Sequence, residues 1–387
     1  MTRKLYDEDS HLACFDAQVV SCEAHEDIWH IVLDQTAFFP EGGGQAADTG
    51  MLDDVRVLDA QERGGVIVHI TEGALPVGAT VHGALDFDQR FRRMQEHSGE
   101  HIISGLVHTL YGYRNVGFHL GEETVTMDYD GELSREQLTE LERFANEAVW
   151  KNVPITAEYP PEDVLRTLEY RSKLELTENV RIVTIAGYDV CACCAPHVSR
   201  TGEIGAIKII DSMRHRGGVR LTILCGTDAL RQYQMLFDES AQLSQLLNVP
   251  KDQLVPAVER LFQERDALES ALAAREEKLN AMRIQALPAS GRNIVVIDAF
   301  DDPEAMRALV NIGMERAEGV CAAFSGTDAE GYRYIIGSKT VDLRAHTKQI
   351  NAALQGRGGG RPTMIQGSCA TDRAAIETFF DRFLRDC

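Results

Sequence analysis

Two short stretches hold the residue types best suited to chemistry: Gln95-Glu96-His97-Ser98-Gly99-Glu100-His101 and Cys191-Ala192-Cys193-Cys194-Ala195-Pro196-His197. Residues four apart lie one turn from each other on the same face of a helix, so His97 and His101 can reach a single ion. Cys193 and His197 have the same separation. The two pairs together suggest a tetrahedral site of one thiolate and three imidazoles, a donor set that suits one zinc ion per chain. Spacing alone does not rank Cys193 against Cys191 or Cys194 as the thiolate. The first stretch also reads as H-x-x-E-H, the pattern of a zinc metallopeptidase, with Glu100 as base and Glu178 as a distant ligand.

Such side chains need rigid elements to hold them. Phe91, Met94, Ile102, Ile103, Leu106, Val107 and Leu110 recur at helical spacing, which predicts a helix over 89–111 carrying both histidines. Ahead of it, Val19–Cys22, Trp29–Leu33, Val55–Leu58, Val66–Ile70 and Val81–Leu85 are apolar, β-branched and divided by glycines and acidic residues. Strands without helices predict a small β-barrel or compact antiparallel sheet over 1–90. Within it, Thr36-Ala37-Phe38-Phe39-Pro40-Glu41-Gly42-Gly43-Gly44-Gln45 offers backbone that can approach a ligand closely, or simply a hairpin turn.

After the histidine helix come strand-like stretches near 116–120 and 124–127, a helix over 134–150 with Ser134 as N-cap, and a strand over Arg181–Ile185 leading to Cys191. Ile204–Ile210 and Val219–Leu224 read as closing strands, giving an α+β domain over 91–226. Residues 227–290 are helical, with a break at Asn248-Val249-Pro250. From Leu254 through Val258, Leu261, Arg265, Leu268, Leu272, Arg275 and Leu279 to Met282 the spacing alternates four and three, a coiled-coil seam containing two arginines. A homodimer through 254–282 and a helical hairpin within one chain both satisfy it. Residues 291–387 read as a small α/β domain, with strands at 294–300, 319–325 and 332–338 and helices at 303–317, 340–354 and 371–385. Between them, Gly356-Arg357-Gly358-Gly359-Gly360-Arg361-Pro362 joins glycine backbone to positive charge, as a phosphate cradle would. It matches neither a nucleotide-binding P-loop nor a dinucleotide fingerprint.

The 387-residue chain is 44% hydrophobic and 26% charged, with no apolar run of membrane-spanning length. Nine cysteines, odd in number and clustered at 191–194, argue for a reducing, cytoplasmic setting with thiols kept for metal rather than a disulfide framework. A net charge of −21 argues against general nucleic-acid binding. The charge is uneven: residues 1–90 hold 5 Lys/Arg against 17 Asp/Glu, whereas 331–373 hold 7 against 2. A polyanion could therefore be held locally by the C-terminal region.

His97-x3-His101 with Cys193-x3-His197 resembles the zinc signature of the alanyl-tRNA synthetase editing domain and its freestanding AlaX relatives. Leu33–Thr36 and Gly44-Gln45-Ala46-Ala47-Asp48-Thr49-Gly50 are similar to the family's glycine-rich segment. Thr201-Gly202-Glu203-Ile204-Gly205 and Gly217-Gly218-Val219-Arg220 match its continuation, and 356–362 with Gln366-Gly367 resembles its DHH-associated C-terminal domain. The likeness covers nearly the whole chain in the family's order, but Cys194-Ala195-Pro196 replaces the usual glycine-rich filling between the last Cys and His. The resemblance implies a freestanding zinc hydrolase, with no aminoacylation module before the barrel, that deacylates tRNA(Ala) mischarged with serine or glycine. It implies metal ligands His97, His101, Cys193 and His197. Thr36, Gln45 and Glu100 would be catalytic, and Gly43, Gly44 and Arg220 would contact substrate. Arg357, Gly358, Gly359 and Arg361 would hold the tRNA. The alternatives are the metallopeptidase and an RNA-binding protein with a structural zinc.

Overall fold

Six N-terminal strands close into a barrel in a computed structural model that describes residues 1–122, 124–172 and 180–384. They are β1 (Cys14–His25), β2 (Ile28–Leu33), β3 (Gly50–Leu52), β4 (Val55–Arg63), β5 (Val66–Thr71) and β6 (Thr80–Leu85). Their order is β1-β2-β5-β4-β3-β6, with β6 pairing back to β1. Alternation produces the inside and the outside: Phe15, Ala17 and Val19 of β1 are buried, while Asp16, Gln18 and Val20 are exposed. The barrel core also includes Phe38, Phe39 and Ala195, so the glycine-rich segment and the second cysteine stretch both pack on it.

Helix α1 (Phe87–Tyr111) leaves the barrel and ends at Gly112, whose φ of 72° is the left-handed cap that glycine adopts most readily. Every residue from Arg93 to Val107 is buried. The helix is covered by a sheet of order β12-β13-β8-β7, formed by β7 (Asn115–Leu120), β8 (Val125–Tyr129), β12 (Ile207–His215) and β13 (Gly218–Cys225). Helix α2 (Arg135–Lys151) has Ser134 as its N-cap in a capping box with Gln137. A smaller sheet joins β9 (Ile155–Glu158), β10 (Ile182–Ile185) and β11 (Asp189–Ala192). The barrel, α1 and these sheets form one compact unit, Met1–Leu243. Two hydrophobic cores sit side by side, one around the barrel and one around α1; the cysteine loop places Ala195 in the first and Val198 in the second, and Arg90 and Arg93 join α1 to the barrel side through polar contacts.

Helix α3 (Gly226–Leu247) stops at the Asn248-Val249-Pro250 break, and α4 (Leu254–Ala286) follows. In the second unit, Ser244–Cys387, the α4 seam residues Leu261, Leu268, Leu272, Leu279 and Met282 are exposed. The C-terminal part contains β14 (Ile294–Ile297), α5 (Pro303–Arg316), β15 (Cys321–Thr327), β16 (Gly331–Gly337), α6 (Leu343–Ala353), β17 (Gly356–Arg361), β18 (Met364–Cys369) and α7 (Arg373–Arg382). Its sheet order is β14-β15-β16-β18-β17.

One expectation is corrected here. The glycine–arginine segment is not a cradle loop but the edge strand β17, paired antiparallel to β18. Its glycines serve close packing rather than positive φ. A Cβ on Gly358 would lie 2.2 Å from the Tyr334 hydroxyl, and the Gly358 carbonyl accepts from Asn351. Arg357 and Arg361 are exposed and, by the two-residue period, share a face with Gly359, where a Cβ would meet nothing within 4 Å.

Candidate metal centre

Helix α1 presents Arg90, Arg93, His97, Glu100, His101 and Ser104 at spacings of three and four, all of them buried. Arg90 is fully buried, and its guanidinium binds Asp48 and the carbonyls of Ala37 and Ser10. Arg93 donates to the Ala47 carbonyl. These contacts fasten the segment after the glycines to the helix that carries the histidines. The glycines form a two-residue hairpin turn: Gly42 and Gln45 exchange both backbone bonds at 3.0 Å, and Gly43 and Gly44 have φ of 61° and 84°. The turn also packs close against neighbouring side chains. A Cβ on Gly44 would lie 2.7 Å from the Phe118 ring, and one on Gly43 would lie 3.4 Å from Cys194 Sγ.

His97, His101, Cys193 and His197 come together, their ligand atoms all within 4.8 Å of one another. Cys193 Sγ lies 3.5 Å from His97 Nε2 and 3.4 Å from His197 Nε2. Each ring is anchored through its other nitrogen: His97 Nδ1 to Gln45 Oε1 at 3.0 Å, His197 Nδ1 to Ser98 Oγ at 3.0 Å, and His101 Nδ1 to Asp189 Oδ2 at 2.9 Å. Three rings held by Nδ1 leave three Nε2 atoms for one point, the arrangement of metal-binding histidines. Burial opposes charge on Cys193, but the neighbouring His97 charge and hydrogen bonds from His101 and His197 bring its thiol well below the usual range. Burial lowers His197 to about 3, keeping that ring a neutral donor. Burial opposes charge on His101, but the neighbouring Cys191 and hydrogen bonds to Asp189 and Cys193 raise it well above its usual range, so a bound zinc would take the place of that proton. A thiolate with imidazole nitrogens fits zinc.

Other expected residues fall into place around this cluster. Cys191 is not among the four; it forms a second trio with His101 and Asp189. Glu100 Oε2 lies 3.9 Å from His101 Nε2, while its Oε1 accepts from Ser104 and Asn115. Gln45 is 1% exposed, and its Nε2 has no hydrogen-bond partner among the described residues. Thr36 is fully buried beside the barrel wall, its hydroxyl 2.8 Å from His69 Nε2 and accepting from the Phe38 backbone N–H at 3.1 Å. Its described contacts are with the barrel rather than the cluster. Arg220 also stands apart, donating from Nε and Nη2 to Asp128 at 2.6 and 2.7 Å. Glu178, the carboxylate of the peptidase pattern, lies outside the described residues. Sequence reasoning missed Ser98, Asp189 and Arg171. Ser98 lies inside the histidine stretch, but the other two reach the site only through strand pairing. A cleft of about 1080 Å³ has Asn115, Tyr170, Arg171, Tyr188, Asp189 and Cys191 in its wall; it meets the cluster through Asp189, the partner of His101, and not through any of the four donors.

Fold and site define an α+β protein of several parts with a four-residue candidate metal centre. The profile of the "Threonyl and Alanyl tRNA synthetase second additional domain" matches residues 180–221, which contain Cys193 and His197, and that of "tRNA synthetases class II (A)" matches residues 8–89. The chain is 28% identical over 390 residues to an alanine–tRNA ligase of Ignicoccus hospitalis, covering 97% of this chain and 42% of that relative. It is 32% identical over 395 residues to the ligase of Pyrococcus abyssi, covering 95% and 42%. With the ligase of Pyrococcus furiosus it shares 36% identity over 278 residues, covering 68% and 30%. Over most of its length the chain is similar to alanine–tRNA ligases, and it spans less than half the length of these relatives. A solved C-Ala domain from Aquifex aeolicus alanyl-tRNA synthetase matches 24% of this chain and 95% of its own, at 21% identity and a TM-score of 0.21. No helix among the described residues is long and apolar enough to cross a membrane.

Proposed function

We propose that the chain hydrolyses the ester of tRNA(Ala) mischarged with serine or glycine, at a zinc held by His97, His101, Cys193 and His197. The observation that carries this reading is the convergence of three Nε2 atoms and one thiol beside Gln45 in a chain related to alanine–tRNA ligases. A bound zinc supplies Lewis acidity next to the ester. The remaining work falls to side chains. Gln45 holds His97 through Oε1 and has a buried, unpartnered Nε2 donor for an ester carbonyl or the oxyanion developing from it. Gly43 and Gly44 keep the turn low enough for substrate to approach. Glu100, its Oε2 near the cluster, is the candidate to take the proton from water.

Thr36 is the candidate sensor of the serine hydroxyl. His69 Nδ1 faces the Ile31 carbonyl at 3.1 Å and carries the hydrogen, so His69 Nε2 accepts from Thr36. With Phe38 N–H donating to the same oxygen, Oγ1 has one lone pair left to accept from a serine hydroxyl. Alanine cannot make that contact, which discriminates better than pocket size. The cleft lined by Tyr170 and Tyr188 would receive the acceptor end. In the other unit, Arg357 shares a cleft of about 790 Å³ with Arg333 and Ser368, and with Arg361 gives the tRNA body an exposed cationic strand. The exposed α4 seam supports self-association, which sedimentation of the intact chain and of Leu268→Glu would report.

The deciding experiment incubates the protein with Ser-tRNA(Ala), Gly-tRNA(Ala) and Ala-tRNA(Ala), with and without chelator. Rapid, chelator-sensitive loss of the serine or glycine ester with alanine spared is expected; equal slow loss of all three would sink the proposal. Four protein donors also favour a second reading, a purely structural zinc in an RNA-binding protein. That reading predicts tRNA binding without deacylation.

A further inference from the structure

The three anchors that hold the histidine rings are unequal. Gln45 and Ser98 are neutral, whereas His101 is held by the carboxylate of Asp189. Asp189 is 6% exposed, and Arg171 grips it as a fork: Nε donates to Oδ1 and Nη2 to Oδ2, both at 2.7 Å. Arg171 is itself fixed by backbone, its N–H donating to the Val190 carbonyl at 2.8 Å and its carbonyl accepting from Ala192 at 2.9 Å. The main chain of Arg171 is therefore fixed beside β11, and the two hydrogen bonds hold its guanidinium on the carboxylate.

This matters because His101 belongs to two donor sets. One is His97, His101, Cys193 and His197; the other is His101, Asp189 and the buried Cys191, whose ligand atoms also lie within 4.8 Å of one another. A bare Asp189 would be an anionic oxygen donor beside a thiol and an imidazole, attractive to a divalent cation. With Arg171 in place, a full positive charge faces the carboxylate and both oxygens are engaged. His101 then keeps Nδ1 on Asp189 and turns Nε2 toward the first set.

We infer that Arg171 is a positioning residue that assigns the ion to His97, His101, Cys193 and His197 by keeping Asp189 and Cys191 out of the coordination sphere. The inference rests on the metal reading of the cluster but not on the deacylation reading. Loss of the fork frees Asp189 for the ion and brings Cys191 within reach as a second thiolate.

The test loads the whole protein with cobalt(II) and reads the thiolate-to-cobalt charge-transfer band, with zinc affinity measured separately by chelator competition. The wild type is expected to show one thiolate. Arg171→Met is expected to weaken zinc binding at least about tenfold, as loss of an outer-shell partner does, and to add a second thiolate that disappears in Arg171→Met/Cys191→Ser. Arg171→Met/Asp189→Asn removes the uncompensated charge and is expected to return the band to one thiolate. If Arg171→Met does not fold, Arg171→Lys replaces it, with at least threefold weaker zinc binding expected from loss of the fork. A wild-type spectrum and affinity in the folded Arg171 variant would overturn the inference while leaving the metal reading intact. Absence of stoichiometric zinc and of any thiolate band in the wild type would overturn both.

Discussion

Each histidine of the cluster depends on a single partner atom at Nδ1, which makes the site sensitive to changes that touch no ligand. Ser98→Ala removes the only described side-chain anchor of His197 and is expected to lower zinc affinity about tenfold by chelator competition, with the fold retained in circular dichroism. The barrel contains a different histidine. His69 is fully buried between Thr36 and the Ile31 carbonyl, and burial lowers its pKa to about 4. A depressed histidine is charged more readily in the unfolded chain, so its contribution to stability is complete above about 6.5 and lost as pH falls toward 4. In chelator-treated protein, urea unfolding should show about 3 kcal/mol less stability at pH 4 than at pH 7 from this group. His69→Gln should flatten that part of the profile, and an unchanged profile would assign the acid loss elsewhere. Thr36→Val would leave His69 Nε2 and the Phe38 N–H without their partner, at a cost of about 1–3 kcal/mol. It should also narrow the serine-over-alanine preference in the paired deacylation assay.

At the level of elements, α1 does most of the assembling. Its one face reaches the barrel through Arg90 and Arg93, the cysteine loop through His97, and the β10–β11 hairpin through His101. That hairpin comes close because residue 105 is glycine. A Cβ there would lie 2.2 Å from the Tyr188 carbonyl oxygen and 2.9 Å from Asp189 Cβ. Gly105→Ala must push the turn outward, at a cost of about 1–3 kcal/mol, and move Asp189 off His101. Urea unfolding and zinc affinity should therefore fall together, whereas Gly112→Ala at the exposed left-handed cap of the same helix should affect stability alone. Arg90→Met tests the other end. It removes the nearer cation from buried Asp48, leaving Arg93 at 3.8 Å and the Phe39 N–H, so the expected loss is at the low end for a broken buried pair, about 3 kcal/mol by the same unfolding measurement.

On the scale of the whole molecule, the proposed reading assigns deacylation to unit 1 and tRNA binding to the second unit. Unit 1 contains the metal cluster and the acidic barrel surface, whereas the second unit contains the arginine-bearing edge strand β17. A chain ending after Leu243 should keep zinc stoichiometry but lose most of its tRNA affinity. The affinity of the full chain should fall steeply with salt, and that slope should shrink in Arg357→Ala/Arg361→Ala. Equal tRNA binding by the truncated and full chains would remove the second unit from the interface.

Much of this was legible in the residues themselves. Alternation in β1 and β2, helical spacing from Phe91 to Val107, the Ser134 cap and the break at Pro250 are local signals, set by backbone geometry and the burial of nearby side chains. The four-residue spacing of His97 with His101 likewise marked both histidines as donors to one ion, and the second stretch supplied His197 with a cysteine whose identity spacing left open. Three things were decided only in three dimensions. The glycine–arginine segment became an edge strand because Tyr334 and Asn351, on other elements, close against its glycines. Cys193 rather than Cys191 joined the histidines because strand β11 ends at Ala192: Cys191 stays in the strand with Asp189, while Cys193 lies beyond it, its backbone N–H on the Arg181 carbonyl at 3.0 Å. Asp189 and Arg171 reached His101 through a hairpin that packs against Gly105, a contact between residues distant in the chain that no local pattern encodes.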